Sequence, residues 1–169
     1  MKCASRYLGV DQHTNYGTTS ILTRTAGVVG TGTTFILIAT DAFNKYQSET
    51  GATLDPATSL LKISSEQYNK LSSMYFNIIP NAQMWPRSSS SNLSGTHDGR
   101  YLIVSDIRSN SGSGFDFVKG YYFLGRFYSV FDTMNSRVGF AKTVHQSHVR
   151  FTADSRKMRV LPVLIFDVT

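Results

Sequence analysis

Two short apolar runs on either side of a turn of small residues form the central pattern of the chain. Val28 and Val29 lead into residues 30–34, with the sequence GTGTT, and an apolar run at residues 35–39 follows. Short β-type runs around small turn residues predict a strand, a tight loop and a second strand. The glycines of this loop can adopt positive φ or admit another backbone at close range, and its threonine hydroxyls can form hydrogen bonds across it.

The flanking segments alternate between strand-like and helix-like patterns. Residues 6–24 alternate apolar and polar positions around glycines, which predicts a β-hairpin. Thr40 is predicted to cap a helix that carries Phe43 and Tyr46 on one face and stops at Gly51. A second short helix is predicted after Ser64.

In that second helix Gln67 occupies the capping-box position, and Tyr68 and Leu71 form the inner face. A turn at Asp55-Pro56 is predicted before a short strand, and a buried strand at 74–79 is stopped by Pro80. The remaining predicted elements are a surface loop at 87–99, a strand at 101–107, a loop at 109–114, a strand end at 115–120, a helical turn at 121–126 and a hairpin at 127–141 with its turn at Asn135-Ser136. The pattern therefore predicts a mostly β chain with two short helices.

Several of these segments together resemble the pepsin-like aspartic protease family. Residues 28–34 are similar to its second active-site loop, in which two apolar residues precede Asp-Thr-Gly-Thr/Ser. Residues 117–141 resemble the last part of the C-terminal lobe, where an apolar-apolar-Gly segment threads behind that loop. Residues 51–71 and 81–87 are similar to fungal polyporopepsin-like enzymes. The resemblance covers roughly residues 6–143.

The resemblance implies a single lobe, a pepsin-like double-psi β-barrel with two short helices, over residues 1–143. Residues 144–169 are then an atypical basic and apolar tail that matches no part of the family and could be an unusual extension or translated non-coding sequence. The implied active-site loop and the implied psi-loop behind it consist of Gly30, Thr31, Gly32, Thr33 and Thr34, and of Val118, Lys119 and Gly120.

The chain departs from the family pattern where the chemistry lies. Gly30 occupies the position of the catalytic aspartate, and Lys119 stands where the family places a second apolar residue. A strand pair that the family has near residues 78–80 is missing. Aspartic proteolysis uses two carboxylates about 3 Å apart that share one proton, and each lobe of the family contributes one of them. With Gly30 this lobe contributes none, and a homodimer would bring two glycines together.

Other acidic and reactive residues offer weaker candidates. A carboxylate near Gly30 could in principle replace the missing one, but caps, turns and surface charges are the expected roles of Asp41, Asp106, Asp116 and Asp132. His145 and His148 supply two ligands where zinc usually needs three or four, so no metal site is expected. Cys3 is the only cysteine and has no paired base. No cofactor is expected.

Two further segments have a structural and a functional interpretation. Gly112 and Gly114 are expected to belong to a flexible turn, because the strand-loop-helix setting of a phosphate cradle is absent. An aromatic cluster at residues 121–131 could form a stacking platform, but a packed core and an interface to the missing lobe are preferred. Its members are Tyr121, Tyr122, Phe123, Phe127, Tyr128 and Phe131.

Charge and composition limit the partners. The net charge is +6 over 169 residues, and four of these charges fall between residues 142 and 159 without an accompanying nucleic-acid motif. Nucleic-acid binding is therefore not expected. No segment approaches the roughly 20 apolar residues of a membrane span, and the first residues lack the apolar run of a signal peptide. The resemblance nevertheless implies a secreted or vacuolar protein, and Asn92 begins a glycosylation sequon.

Two function hypotheses follow. In the first, the chain is an aspartic endopeptidase lobe that is inactive in isolation and pairs with an N-terminal lobe or with itself through an exposed interface. In the second, it is a non-catalytic binding module for a peptide or protein ligand, comparable to a lectin-like or immunomodulatory fungal protein, that reuses the lobe.

Overall fold

A computed structural model describes residues 8–74, 78–86, 99–132, 137–142 and 164–167. Within these residues it contains strands, three α-helices and one 3-10 helix. The strands are β1 (Leu8–Tyr16), β2 (Thr19–Val29), β3 (Ile36–Ile38), β4 (Thr53–Asp55), β5 (Leu60–Ile63), β6 (Arg100–Tyr101), β7 (Val104–Asp106), β8 (Phe117–Lys119), β9 (Phe127–Asp132), β10 (Arg137–Lys142) and β11 (Leu164–Asp167). The helices are α1 (Thr40–Thr50), α2 (Ser65–Lys70), α3 (Tyr121–Leu124) and the 3-10 helix Pro80–Gln83.

The largest sheet has five strands in the order β1-β2-β8-β3-β7. β1 and β2 form the predicted antiparallel hairpin, with Gly17 in the left-handed region at its turn. β8 lies between the two strands that flank the central loop, parallel to β2 and antiparallel to β3. β3 in turn pairs in parallel with β7. The mostly β prediction is confirmed, and the central loop joins the middle strands of the sheet.

Helix α1 follows β3 and packs on the core through Phe43 and Tyr46, as predicted. It ends at Gly51, whose φ of 66° places it in the left-handed region that favours glycine. The prediction for Thr40 is wrong: Ala39 is the N-cap residue, and Thr40 is the first helical residue. The Thr40 hydroxyl instead donates to Asp106 at 2.7 Å and ties the helix to β7. No helix in the described part of the chain is long and apolar enough to cross a bilayer.

A second sheet contains β4, β5 and β6 and leads into α2. The Asp55-Pro56 turn joins β4 to β5, so the predicted strand has an additional partner on its N-terminal side. The capping box of α2 is confirmed, since the Gln67 backbone N–H donates to the Ser64 hydroxyl and the Ser64 backbone N–H donates to the Gln67 side chain.

Two predicted strands are wrong in the described residues. Met74 and Ile78 of the strand predicted at 74–79 pair with each other in an antiparallel bridge, which two residues of one straight strand cannot do. Residues 75–77 lie outside the described residues. The predicted strand at 101–107 is divided between two sheets. The division falls at Leu102, whose N–H donates to Leu61 and which forms a bridge with Met84. Burial of every residue from 101 to 104 explains why the sequence pattern showed no break.

The third sheet has the order β11-β10-β9. The predicted hairpin of β9 and β10 is confirmed, while its turn at residues 133–136 lies outside the described residues. The helical turn predicted at 121–126 is confirmed as the short helix α3, which adds to the two predicted helices α1 and α2. The loop at 87–98 lies outside the described residues, as do most residues of the tail. The domain boundary at residue 143 stays a prediction.

One hydrophobic core joins the sheets and helices. Its largest fully buried side chains include Tyr46, Phe117, Phe123 and Phe140, which come from α1, β8, α3 and β10. The Tyr46 hydroxyl donates to Gln83 at 2.8 Å, and the Gln83 amide nitrogen donates to two backbone carbonyls. A buried polar group with such partners avoids the cost of lost hydration.

Candidate active site

The loop at residues 30–34 is held in place by the last residue of β8 and the first residues of α3. The Gly30 N–H donates to the Lys119 carbonyl at 3.2 Å. On the other side of the loop, the Tyr121 and Tyr122 N–H groups donate to the carbonyls of Thr33 at 2.8 Å and Thr34 at 3.1 Å. The turn is therefore fixed by backbone hydrogen bonds to residues about 90 positions later in the chain, which is more than a surface turn requires.

The predicted psi-loop residues lie behind this turn. Val118 and Lys119 of β8 are opposite Val28 and Val29 of β2 in the parallel register. Gly120 passes so close to the loop that a Cβ built on it would be 2.3 Å from the Phe35 carbonyl oxygen. The structure thus brings the two predicted segments, 30–34 and 118–120, into direct contact.

A recess of about 420 Å³ opens beside the loop. It is lined by Val28, Gly30, Gly32, Thr33, Phe115 and Val118. None of these six residues has an ionisable side chain. A Cβ added to Gly30 would meet no atom within 4 Å, so a larger side chain at this position has room to project from the loop.

The four aspartates considered as replacement catalysts are placed elsewhere, and none lines this recess. Asp116 is buried, and it accepts hydrogen bonds from the Thr25 hydroxyl at 2.5 Å and the Gly112 N–H at 2.8 Å. Asp106 accepts from Thr40 and from the Arg108 N–H. These carboxylates stabilise turns and strand ends through hydrogen bonds, as expected of structural residues.

Asp41 has the same kind of role at the start of α1. Both its oxygens accept hydrogen bonds from Ser111, one from the hydroxyl and one from the backbone N–H. These hydrogen bonds from Ser111 lower the pKa of the Asp41 carboxyl. Asp132 is the last residue of β9. The carboxylates that the sequence offered are thus accounted for by fold contacts or by position at an element end.

Lys119 lies next to the loop at Gly30, and the sequence did not predict its surroundings. Its side chain is only 3% exposed. The side-chain nitrogen Nζ donates to the Gln12 amide oxygen, and the Gln12 amide nitrogen donates to Thr14 at 3.3 Å. The alternation of β1 places Gln12 and Thr14 on its inward face, and two polar residues in that pattern were the available signal.

Aromatic rings complete the surroundings of the Lys119 amine. Nζ lies 4.8 Å from the ring centre of Phe123, 5.4 Å from that of Phe140 and 5.6 Å from that of Phe117. A cavity of about 20 Å³, enough for roughly one water molecule, adjoins the same residues. Ring faces favour the charged form, but loss of hydration opposes it more strongly. Burial therefore lowers the pKa of Lys119 well below its usual value.

We expect Lys119→Met to raise the free energy of unfolding at acidic and neutral pH by an amount on the order of 2 kcal/mol. The folded state binds fewer protons than the unfolded state between the lowered pKa of Lys119 and its usual value of about 10.5. Stability consequently rises with pH across that interval in the native chain, and this rise is absent from the methionine variant. Urea unfolding at several pH values measures both effects.

Lys45→Met on the exposed face of α1 is the control, because it makes the same lysine-to-methionine change without altering a buried amine. The control is expected to leave the pH dependence of stability unchanged. Equal slopes of stability against pH in the native chain and in Lys119→Met would contradict the assignment of the slope to Lys119.

The remaining candidates divide into described and undescribed residues. Gly112 and Gly114 lie in a turn at positive φ, as expected. Of the aromatic cluster, Tyr122, Phe123 and Phe127 are buried, whereas Tyr121, Tyr128 and Phe131 are more than 40% exposed. In the described part of the chain, no group of three or more His, Cys, Asp or Glu residues could hold a metal ion. Cys3, Asn92, His145 and His148 lie outside the described residues.

Comparisons with known proteins agree with this geometry. Residues 6–143 match the family model described as eukaryotic aspartyl protease. The chain is 49% identical to polyporopepsin from Irpex lacteus over 148 residues, which is 83% of this chain and 44% of that protein. The crystal structure of the aspartic proteinase from Irpex lacteus matches with a TM-score of 0.80 and 46% identity, again over 83% of this chain and 44% of the other.

The chain thus spans less than half the length of the relatives it matches, and it forms a single lobe of their fold. The family match begins before β1 and ends just after β10, so it includes the loop at Gly30, the recess beside it and the strand β8 behind it. β8 lies against the central loop, the family model matches residues 6–143, and the identity to polyporopepsin is 49%. This chain therefore belongs to the eukaryotic aspartyl protease family.

Proposed function

We propose that the chain is one lobe of an aspartic endopeptidase whose own active-site loop lacks the catalytic carboxylate, so that the isolated chain does not hydrolyse peptides. The residues that line the recess beside the loop support this proposal. Gly30 lies at its edge, at the position that resembles the family aspartate, and no acidic residue lines it. Three of the aspartates considered as replacement catalysts, Asp41, Asp106 and Asp116, accept hydrogen bonds from other residues of the fold.

The chemistry explains why this single position matters. In the dyad one carboxylate is charged and accepts a proton from the attacking water, while the protonated partner supplies a proton to the leaving amine. The threonine hydroxyls and backbone N–H groups of residues 31–34 can orient such a carboxylate, but they cannot replace it as a base at acidic pH. Loss of one member of a catalytic unit costs several orders of magnitude in rate.

A second lobe is the partner that this proposal requires for any activity. The chain covers 44% of polyporopepsin, which leaves more than half of that relative without a counterpart here. We propose that an N-terminal lobe would pack against the face that carries the recess and would contribute its own loop. A homodimer would juxtapose two Gly30 loops and would stay inactive. We also propose a secreted or vacuolar location, on the basis of family membership alone.

The purified chain is expected to show no pepstatin-sensitive cleavage of haemoglobin or casein at roughly pH 3–5, the range in which a carboxylate pair shares one proton. Release of acid-soluble peptides measures the activity, and polyporopepsin from Irpex lacteus is the positive control. Pepstatin-sensitive turnover by the chain alone, at a rate that scales with its concentration, would overturn the proposal.

A second candidate, a non-catalytic peptide-binding module, is favoured by the size and lining of the same recess. About 420 Å³ of open volume beside Val28, Phe115 and Val118 can accept an apolar side chain, and the adjacent loop offers hydroxyl and backbone groups. Under this candidate the unaltered chain binds a defined peptide without cleaving it. Gly30→Phe should fill the recess and abolish that binding, whereas the exposed substitution Lys45→Met should not change it.

A further inference from the structure

β10 is paired on both sides, and its second neighbour comes from the tail. One edge of β10 pairs with β9 from the preceding hairpin. The other edge pairs antiparallel with β11, and the register places Val138 opposite Phe166, Gly139 opposite Ile165 and Phe140 opposite Leu164. β11 also contacts β1 of the five-stranded sheet. The tail strand therefore bridges two sheets of the lobe.

This strand lies outside the part of the chain that matches the family. The family match ends at residue 143, directly after β10, whereas β11 begins at Leu164. Residues 160–166 are almost entirely apolar, with the sequence VLPVLIF. Two of the four residues of β11, Ile165 and Phe166, are of the β-branched or aromatic type that favours strands. A segment that lies beyond the family match thus has the composition of a strand and pairs as one.

Without β11, the edge of β10 would present unpaired backbone groups next to the core. Val138, Phe140 and Ala141 of β10 are buried, so the strand cannot turn this edge away without exposing them. Unpaired edges of apolar strands are templates for pairing with another chain. Backbone pairing supplies most of the affinity in such strand addition, and the side chains supply register.

We propose that the edge of β10 is a strand-docking site that the chain's own β11 keeps closed, and that it accepts the β11 segment of a second copy when its own is released. Twenty-one residues, 143–163, separate the two strands in sequence. A chain of that length spans up to about 70 Å when extended, so it can deliver β11 to its own lobe or to a neighbouring one. This proposal is independent of whether Gly30 makes the chain inactive as a protease.

The first experiment opens the site in the full-length chain. In a strand, successive N–H groups point to opposite sides, so one of Ile165 and Phe166 must direct its N–H toward β10. Ile165→Pro with Phe166→Pro removes both, and Ile165→Val with Phe166→Tyr is the matched control that keeps them. A fluorescent peptide of residues 160–169 is then titrated against each protein, with anisotropy as the readout.

The double-proline variant is expected to bind the peptide at least roughly tenfold more tightly than the native chain and the control variant do, because only its docking site is open. A peptide that carries the same two prolines should not bind. Equal binding by all three proteins, or none by a double-proline variant with a cooperative melt, would overturn the proposal.

A second experiment tests the pairing without disturbing the strand. In a Cys3→Ser background, Gly139→Cys and Ile165→Cys place two thiols at directly opposite positions, about 4.5–5.5 Å apart at Cα and within disulfide range. Mild oxidation should give an intrachain disulfide in dilute protein, identified by mass spectrometry after proteolysis. Two thiols that stay reduced in the folded protein would show that β11 does not dock on β10.

Discussion

Gly30→Asp is expected to give acid proteolysis to a two-lobe protein in which the native chain gives none. The protein for this experiment joins the chain to the part of polyporopepsin from Irpex lacteus that the chain does not cover. That part supplies a second lobe from a relative 49% identical to this chain, and the fusion restores the full length of the enzyme. Cleavage of haemoglobin at acidic pH, with and without pepstatin, is the measurement.

The geometry of the loop is the reason for this expectation. No atom lies within 4 Å of the position of a Cβ on Gly30, so the aspartate can be built without displacing its neighbours. The loop is already held by hydrogen bonds to Lys119, Tyr121 and Tyr122, which means that the new carboxylate would project from a fixed support. A gain of at least roughly a thousandfold over the glycine fusion is expected, since loss of one member of a catalytic unit costs that much or more.

Gly30→Asn is the matched control, because it has nearly the same shape but cannot ionise or share a proton. It should stay as inactive as the glycine fusion. Comparable activity of the glycine and aspartate fusions would contradict the role given to position 30. A folded aspartate fusion that binds pepstatin but does not cleave would show that a further group, such as the buried Lys119 amine, blocks catalysis.

Gly120→Ala is expected to lower the free energy of unfolding by about 3 kcal/mol or more, a large part of the roughly 5–15 kcal/mol of a typical domain. The added Cβ would be 2.3 Å from the Phe35 carbonyl oxygen and 2.5 Å from that of Thr33. Both neighbours are backbone atoms, and the Thr33 carbonyl also accepts the hydrogen bond from Tyr121. They cannot move without separating the central loop from β8.

Gly32→Ala is the control, because a Cβ there meets nothing within 4 Å. Its effect should stay within about 0.5 kcal/mol, as for an ordinary surface substitution. Urea unfolding followed by far-UV circular dichroism compares the two variants. A Gly120→Ala protein as stable as the native chain would mean that the loop and β8 are not in contact as described.

Local signals in the sequence predicted the elements whose contacts are local. The capping box of Ser64 and Gln67 and the helix stop at Gly51 depend on residues within one turn, so a pattern of neighbouring residues is sufficient. The hairpins of β1 with β2 and β9 with β10 follow from alternation around turns. The central loop was predicted from its glycines and threonines.

The failures involve partners far away in sequence. Thr40 has the side chain of a helix cap, but its hydroxyl donates to Asp106 instead, and nothing near Thr40 indicates that partner. Residues 101–104 are all apolar because two different sheets and the core meet there. Leu102 marks the division only through its contacts with Leu61 and Met84. Tertiary contacts of this kind override local propensity.

In the candidate site, too, one part was predicted from the sequence and another part depends on distant contacts. The resemblance predicted that segments 30–34 and 118–120 meet, and the structure brings them together. It also marked Lys119 as an exception to the family pattern but gave no account of its surroundings. Those surroundings consist of Gln12 from β1 and of aromatic rings from β8, α3 and β10. These groups become neighbours only in the folded chain.

The position of β8 between β2 and β3 has a consequence for the order of folding. β2 and β3 are complete within the first 38 residues, yet the strand that separates them is contributed by residues 117–119. Since the large sheet cannot close until that strand has been inserted, its first strands must wait with unpaired edges during synthesis on the ribosome. Slow refolding, on the scale of milliseconds to seconds or longer, and a need for chaperone protection of the nascent β1–β3 segment follow from this topology.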